Sequence, residues 1–112
     1  IRRSDVHLLT SLHEGNPTVV WETLAAGIPT ICFAHSGMSD TFRDGGGILV
    51  DMGSEAADTV EALHHALAKT FSNEGQLQRL QLEARILASR ECWSARLDNW
   101  MSLYEEVIKK AR

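Results

Sequence analysis

The chain has 112 residues, of which 44% are hydrophobic and 23% charged, the composition of one ordinary folded domain. Its net charge of −4 argues against a nucleic-acid-binding protein, which would need a basic surface. The sequence contains neither an apolar run near the roughly 20 residues of a membrane span nor the apolar segment of a signal peptide.

Short apolar runs separated by glycine and proline make up the first half of the chain. Strands are predicted at Val6–Thr10, Thr30–Phe33 and Ile48–Val50. A helix is predicted at Pro17–Ala26, and a helical turn near Ser39–Arg43. Gly27 follows the predicted helix directly, in the position where glycine commonly ends one.

The second half of the chain has helical periodicity. Ser54 is the expected N-cap of one helix, and Asn73–Ser89 predicts the next. A last helix is predicted from a stripe of apolar residues: Trp93, Leu97, Trp100, Tyr104, Val107 and Ile108. We expect Trp93 and Trp100 to lie in the core or to contact a further domain. The alternation of strands and helices predicts an α/β fold with a parallel sheet.

The segment Glu14–Glu22 (EGNPTVVWE) follows the first strand, and ligands bind at the carboxyl ends of strands in such sheets. Asn16 is the expected N-cap and Pro17 the first helical residue. The free N–H groups of Thr18 and Val19 would then form an anion site suited to phosphate.

The glutamates and the glycine of this segment complete the candidate site. Gly15 allows a ligand to approach the backbone closely. Glu22 stands on an otherwise apolar helix, where a buried carboxylate needs donors such as the hydroxyls of a ribose. Glu22 could equally accept from a neighbouring backbone N–H. Glu14 could accept from sugar hydroxyls or could be a solvated loop acid.

Other chemistry has weaker support from the sequence. His13 is a possible general base, and a Ser36–His35–Asp40 triad lacks the surrounding pattern of a nucleophile elbow. Contacts by the backbone of His35 and Ser36 are favoured over side-chain chemistry. No metal site is predicted, because the adjacent His64–His65 cannot share one helix face. Cys32 and Cys92 are expected to be buried free thiols, which fits a cytoplasmic location.

The segment EGNPTVVWETLAAGIPTICF resembles the E-x7-E region of family 4 retaining glycosyltransferases of the GT-B fold. SGMSD resembles the glycine-bearing loop that follows in that family, and DGGGILVD resembles its D-G-x-x-G-x-L-V segment. The resemblance covers nearly the whole chain. It implies that residues 1–112 form the C-terminal nucleotide-sugar-binding subdomain, a partial Rossmann-like three-layer domain with about three strands retained.

The resemblance also implies the roles of the site residues. Glu14 would contact the donor sugar as the candidate catalytic residue, and Glu22 would hold the ribose. The diphosphate and the sugar would be met by backbone around Gly15, Asn16, Pro17, Thr18 and Val19. No cofactor or metal is implied. The donor is a nucleotide-diphosphate sugar, and the acceptor is a carbohydrate or a lipid-linked acceptor in polysaccharide, lipopolysaccharide or glycolipid synthesis.

The sequence departs from the family pattern at several places. Asn16 replaces the usual Phe, and Asp40 replaces a usual Glu. Only three basic residues precede Lys69, namely Arg2, Arg3 and Arg43, whereas the first 53 residues carry six acidic ones. The family's diphosphate-binding Arg and Lys would lie upstream, as would the N-terminal acceptor domain. We therefore expect a fragment that is inactive alone and that self-associates through the exposed edge of its first strand.

Two alternatives to a hexosyl-type transferase stay open on the sequence. A sugar-nucleotide epimerase shares the architecture, and a non-catalytic α/β nucleotide-binding or assembly module would share the fold without the reaction. In the full-length transferase, attachment to the inner face of the membrane would be peripheral.

Overall fold

A computed structural model describes residues 3–111 of the chain. Three parallel strands form one sheet in the order β1-β2-β3: β1 (His7–Leu9), β2 (Thr30–Phe33) and β3 (Gly47–Val50). The helices are α1 (Thr18–Ala25), α2 (Ser36–Thr41), α3 (Ala56–Ser72), α4 (Glu74–Arg90) and α5 (Trp93–Ala111). The predicted α/β class and parallel sheet are confirmed.

The central strand β2 is buried on both faces, which makes the structure three-layered. Ile31 and Phe33 pack with Val50 against the helix α3. Cys32, on the opposite face of the sheet, packs with α1 and α2 and with Ala84 of α4. The run of four buried residues in β2 reflects this covering, as expected of a parallel strand between helical layers. Burial raises the pKa of the Cys32 thiol to about 11.

The end of α1 follows the sequence prediction closely. Gly27 adopts a positive φ of 75°, and its N–H donates to the Leu24 carbonyl oxygen at 2.9 Å. The N–H of Ile28 donates to the Thr23 carbonyl oxygen, also at 2.9 Å. This pair of bonds is a Schellman motif, which turns the chain from α1 directly into β2.

The predicted N-cap of α3 differs from the structure. The helix α3 begins at Ala56 with Glu55 as its N-cap, whereas Ser54 was the expected cap. The hydroxyl of Ser54 instead donates to the Asp58 carboxylate at 3.4 Å. In α4 the side chain of Asn73 caps the helix, accepting from the Gln76 N–H at 3.0 Å.

The last helix, α5, forms where it was predicted but is exposed along its length. Trp93 is 76% exposed and Trp100 is 55% exposed, so the expectation that they lie in the core is wrong, and contact with a further domain stays a prediction. Cys92, just before α5, is also exposed rather than buried. The reason is geometric: among residues 3–111, α5 packs mainly against α4, and only its first turn reaches α1. None of the helices in this range has the combination of length and apolar composition needed to traverse a bilayer.

Candidate functional site

Two loops meet at the carboxyl edge of the sheet, as the position of the segment Glu14–Glu22 predicts. The loop between β1 and α1 carries Glu14, and the next crossover enters α2 at Ser36. The N–H of Gly37 donates to the Glu14 carbonyl oxygen at 3.3 Å. The Nε2 atom of His35 lies 2.9 Å from the Ser11 carbonyl oxygen. These contacts fix the backbone of the first loop against the start of α2.

The two loops approach so closely that one of the glycines has no room for a side chain. A Cβ atom at Gly37 would overlap the carbonyl oxygen of Gly15. A Cβ atom at Gly15, by contrast, would meet nothing within 4 Å among the described residues. Gly37 therefore permits the contact between the loops, and the surface above Gly15 is open to a ligand.

The start of α1 lies one residue later than predicted, because Pro17 is not the first helical residue. The N-cap is Pro17, and its side chain makes no capping hydrogen bond. Asn16, the predicted cap, instead uses its Oδ1 to accept from the indole Nε1 of Trp21 at 2.5 Å. The indole thus takes the acceptor that would have capped the helix. The first-turn N–H groups of Thr18 and Val19 consequently have no side-chain cap, which leaves them available to an anion.

The two glutamates lie in different environments. Glu14 is partly buried in its loop, whereas Glu22 is exposed, so its expected burial is wrong. The buried face of α1 is formed by Val20, Thr23 and Leu24, and the opposite face, which carries Glu22, is uncovered within residues 3–111. Among these residues the Glu22 carboxylate has no hydrogen bond or ion pair, so it is free to accept from a ligand.

An arginine from α5 reaches this side of the molecule, which the sequence did not predict. The guanidinium of Arg96 lies over the Trp21 ring, 5.4 Å from its centroid. Its Nη2 is 3.0 Å from the Glu91 carboxylate. Nothing in the sequence pattern links a residue of the last helix to the first loop, because the link depends on the packing of α4 and α5.

Arg96 is one wall of a cleft of about 340 Å³ that also borders Gly15, Asn16 and Gly37. Two guanidinium groups and three carboxylates line it, those of Arg43, Arg96, Asp40, Asp44 and Glu91. The formal charge of the lining is therefore −1, which does not favour a diphosphate. Arg2, one of the three early basic residues, lies outside the described residues.

The alternative catalytic groups are not arranged as a triad. The Ser36 hydroxyl lies 3.3 Å from Nδ1 of His13, and among residues 3–111 it makes no hydrogen bond to the His35 ring. The Asp40 side chain is exposed. The His13 and His35 rings stack, with centroids 6.3 Å apart and planes 19° apart. In the part of the chain that the structure describes, no group of three or more His, Cys, Asp or Glu side chains could hold a metal ion.

Comparison with known proteins identifies the family of the chain. The family model described as glycosyl transferases group 1 matches residues 1–86, which include all three strands and the segment Glu14–Glu22. No curated protein sequence matches the chain. The match spans well over half of the chain, so the chain belongs to the group 1 glycosyltransferases, a family whose domains act in glycosyl transfer.

Proposed function

We propose that this chain is the donor-binding part of a retaining, GT-B-type glycosyltransferase of family 4, with the E-x7-E pair Glu14 and Glu22 at the donor site. The observation that carries the proposal is the strand–loop–helix unit at the carboxyl edge of the sheet. Its helix start has no side-chain cap, and its second glutamate is exposed without a partner among residues 3–111. Both features suit a ligand with phosphates at one end and hydroxyls at the other.

The donor would lie along the start of α1. The N–H groups of Thr18 and Val19 bind the diphosphate, and the helix dipole stabilises its charge. Glu22, one turn further along α1, accepts from the ribose hydroxyls. Glu14 accepts from hydroxyls of the transferred sugar, which passes Gly15, where the surface is open. The nucleotide-diphosphate sugar is the substrate, and neither a metal ion nor a cofactor has a role in this proposal.

The rest of the reaction requires groups from outside this chain. The cleft beside Gly15 has a formal lining charge of −1, so the cations that neutralise the diphosphate come from another part of the protein. In our proposal residues 1–112 are the C-terminal subdomain, and an N-terminal domain supplies the acceptor site. The acceptor is a carbohydrate or a lipid-linked sugar, and the full-length protein acts in the cytoplasm or at the inner face of the membrane.

Titration of the full-length protein with a panel of nucleotide-diphosphate sugars tests this function. Calorimetry should give one donor that binds more tightly than its own nucleoside diphosphate, because Glu14 adds contacts to the sugar. Incubation of that donor with acceptor should yield a glycoside that keeps the anomeric configuration. Equal affinity for all nucleotides with no transfer would support a non-catalytic module, and conversion of the donor without acceptor would support an epimerase; either result contradicts the proposal.

The edge of β1 leads to a separate prediction about the isolated chain. Within residues 3–111 β1 pairs only with β2, and Leu8 on this strand is 42% exposed. Edge strands of this kind pair readily with another chain. We expect residues 1–112, expressed alone, to self-associate with rising concentration in light scattering. A Leu8→Lys variant should weaken that association, and a wild-type chain that stays monomeric at high concentration would disprove it.

A further inference from the structure

The side chain of His35 joins the loop that carries Glu14 to the start of α2. Its Nε2 atom lies 2.9 Å from the carbonyl oxygen of Ser11, which precedes Gly15 by four residues in the same loop. The N–H of Gly37 donates to the Glu14 carbonyl oxygen at 3.3 Å. These two bonds hold the loop on each side of His13, and between them the Ser36 hydroxyl lies 3.3 Å from Nδ1 of His13. All three contacting groups come from one short segment of the next crossover.

The chemistry of the His35 contact fixes the tautomer of the ring. A carbonyl oxygen accepts only, so Nε2 must carry the hydrogen and donate it to Ser11. The other ring nitrogen, Nδ1, is buried and has no hydrogen-bond partner among residues 3–111. A buried polar atom without a partner has a free-energy cost. Within the described part of the chain, the Nε2 bond is thus the single polar contact that favours this orientation of the ring.

The backbone around His35 is arranged to bring both contacts to the same loop. Ser36 has a positive φ of 39°, which is uncommon for a residue other than glycine. This turn lets the His35 side chain and the Gly37 N–H face the β1–α1 loop together. The His13 ring stacks on the His35 ring at a centroid distance of 6.3 Å and so packs the loop against the same segment.

We propose that His35 is a positioning residue for the donor sugar. Its Nε2–H bond to Ser11, together with the Gly37–Glu14 bond, fixes the position of Glu14 at the carboxyl edge of the sheet. The inference rests on the proposed function, because the value of a fixed Glu14 is that its carboxylate meets the sugar of the donor. The His35 side chain does not touch the ligand; it acts through the loop.

Two amide variants of the full-length protein separate this role from simple packing. In His35→Gln the side-chain amide nitrogen reaches the position of Nε2 and can still donate to Ser11. In His35→Asn the amide nitrogen corresponds to Nδ1 and falls short of the Ser11 oxygen. The readout is the ratio of two affinities measured by calorimetry, that for the nucleotide-diphosphate sugar and that for the matching nucleoside diphosphate.

We expect His35→Gln to keep the wild-type ratio and His35→Asn to lower it about two- to tenfold, the range of one lost hydrogen bond. Affinity for the nucleoside diphosphate alone should stay unchanged in both, because α1 is not displaced. His65→Asn, an exposed change on α3, serves as the matched control and should leave both affinities unchanged.

Several outcomes would overturn the inference. A wild-type ratio in His35→Asn would remove the positioning role while leaving the proposed function intact. Equal losses in the Gln and Asn variants would show that the imidazole shape, not the Nε2–H bond, is what matters, and would also overturn it. A wild-type protein with no preference for the nucleotide sugar would overturn the proposed function, and this inference with it.

Discussion

Gly37→Ala is expected to force apart the two loops of the donor site. The added Cβ atom would overlap the carbonyl oxygen of Gly15. Because the atoms it meets belong to the backbone, no flexible side chain can move aside to make room. The start of α2 must then shift, which weakens the Gly37–Glu14 hydrogen bond. Overpacking of this kind costs about 1–3 kcal/mol of the free energy of unfolding. Thermal unfolding followed by circular dichroism should show a Tm lower by several degrees.

The same substitution should also weaken binding of the donor. If Glu14 meets the sugar, displacing its loop lowers affinity for the nucleotide-diphosphate sugar more than affinity for the nucleoside diphosphate. Gly75→Ala is the matched control, because a Cβ atom there meets only the Asn73 Oδ1 at 3.5 Å, an ordinary contact. That change lies within α4 and should raise stability by up to about 1 kcal/mol. A Gly37→Ala protein with wild-type Tm and wild-type donor affinity would refute the expected clash.

The strands and the loop positions were predictable because local chemistry decides them. Apolar runs between glycine and proline predicted the three strands, and Gly27 ends α1 at the predicted position, with a positive φ. The meeting of the Glu14 loop with α2 follows from the rule that parallel strands place their carboxyl ends at one edge. The close approach of Gly37 to Gly15 was not predicted, because it depends on how these two crossovers pack together.

The features that the sequence did not predict depend on tertiary packing. Asn16 is a residue type that commonly caps helices, but the Trp21 indole takes the side-chain oxygen that would form the cap. The exposure of Glu22 depends on which face of α1 is covered. The sequence of a mostly apolar helix does not determine which face that is. Arg96 reaches the same region only because α5 begins beside α1, a contact between distant parts of the chain. Packing of this kind leaves no periodic signal in the sequence.

Glu22→Ala should impair donor binding severely while leaving the fold intact. The Glu22 side chain is exposed and has no partner among residues 3–111, so its removal should change stability by no more than about 0.5 kcal/mol. Hydrogen bonds to a charged group contribute about 1.5–3 kcal/mol each. The loss of a carboxylate that accepts from the ribose should therefore lower donor affinity in the full-length protein about tenfold to a hundredfold. Glycosyl transfer at subsaturating donor should fall by the same factor.

A double-mutant cycle identifies the partner of Glu22 in the donor. Wild-type protein should bind a donor that lacks the ribose 2′- or 3′-hydroxyl less tightly than the complete donor, and Glu22→Ala should bind the two about equally. Glu61→Ala, an exposed carboxylate on α3, is the matched control and should keep the wild-type preference. Full preference for the ribose hydroxyls in Glu22→Ala would place the ribose elsewhere. Loss of that preference together with an unchanged Tm would assign the second glutamate of the E-x7-E pair to the ribose. The Glu22 side chain is exposed, and an unchanged Tm would show that the substitution had not disturbed the fold.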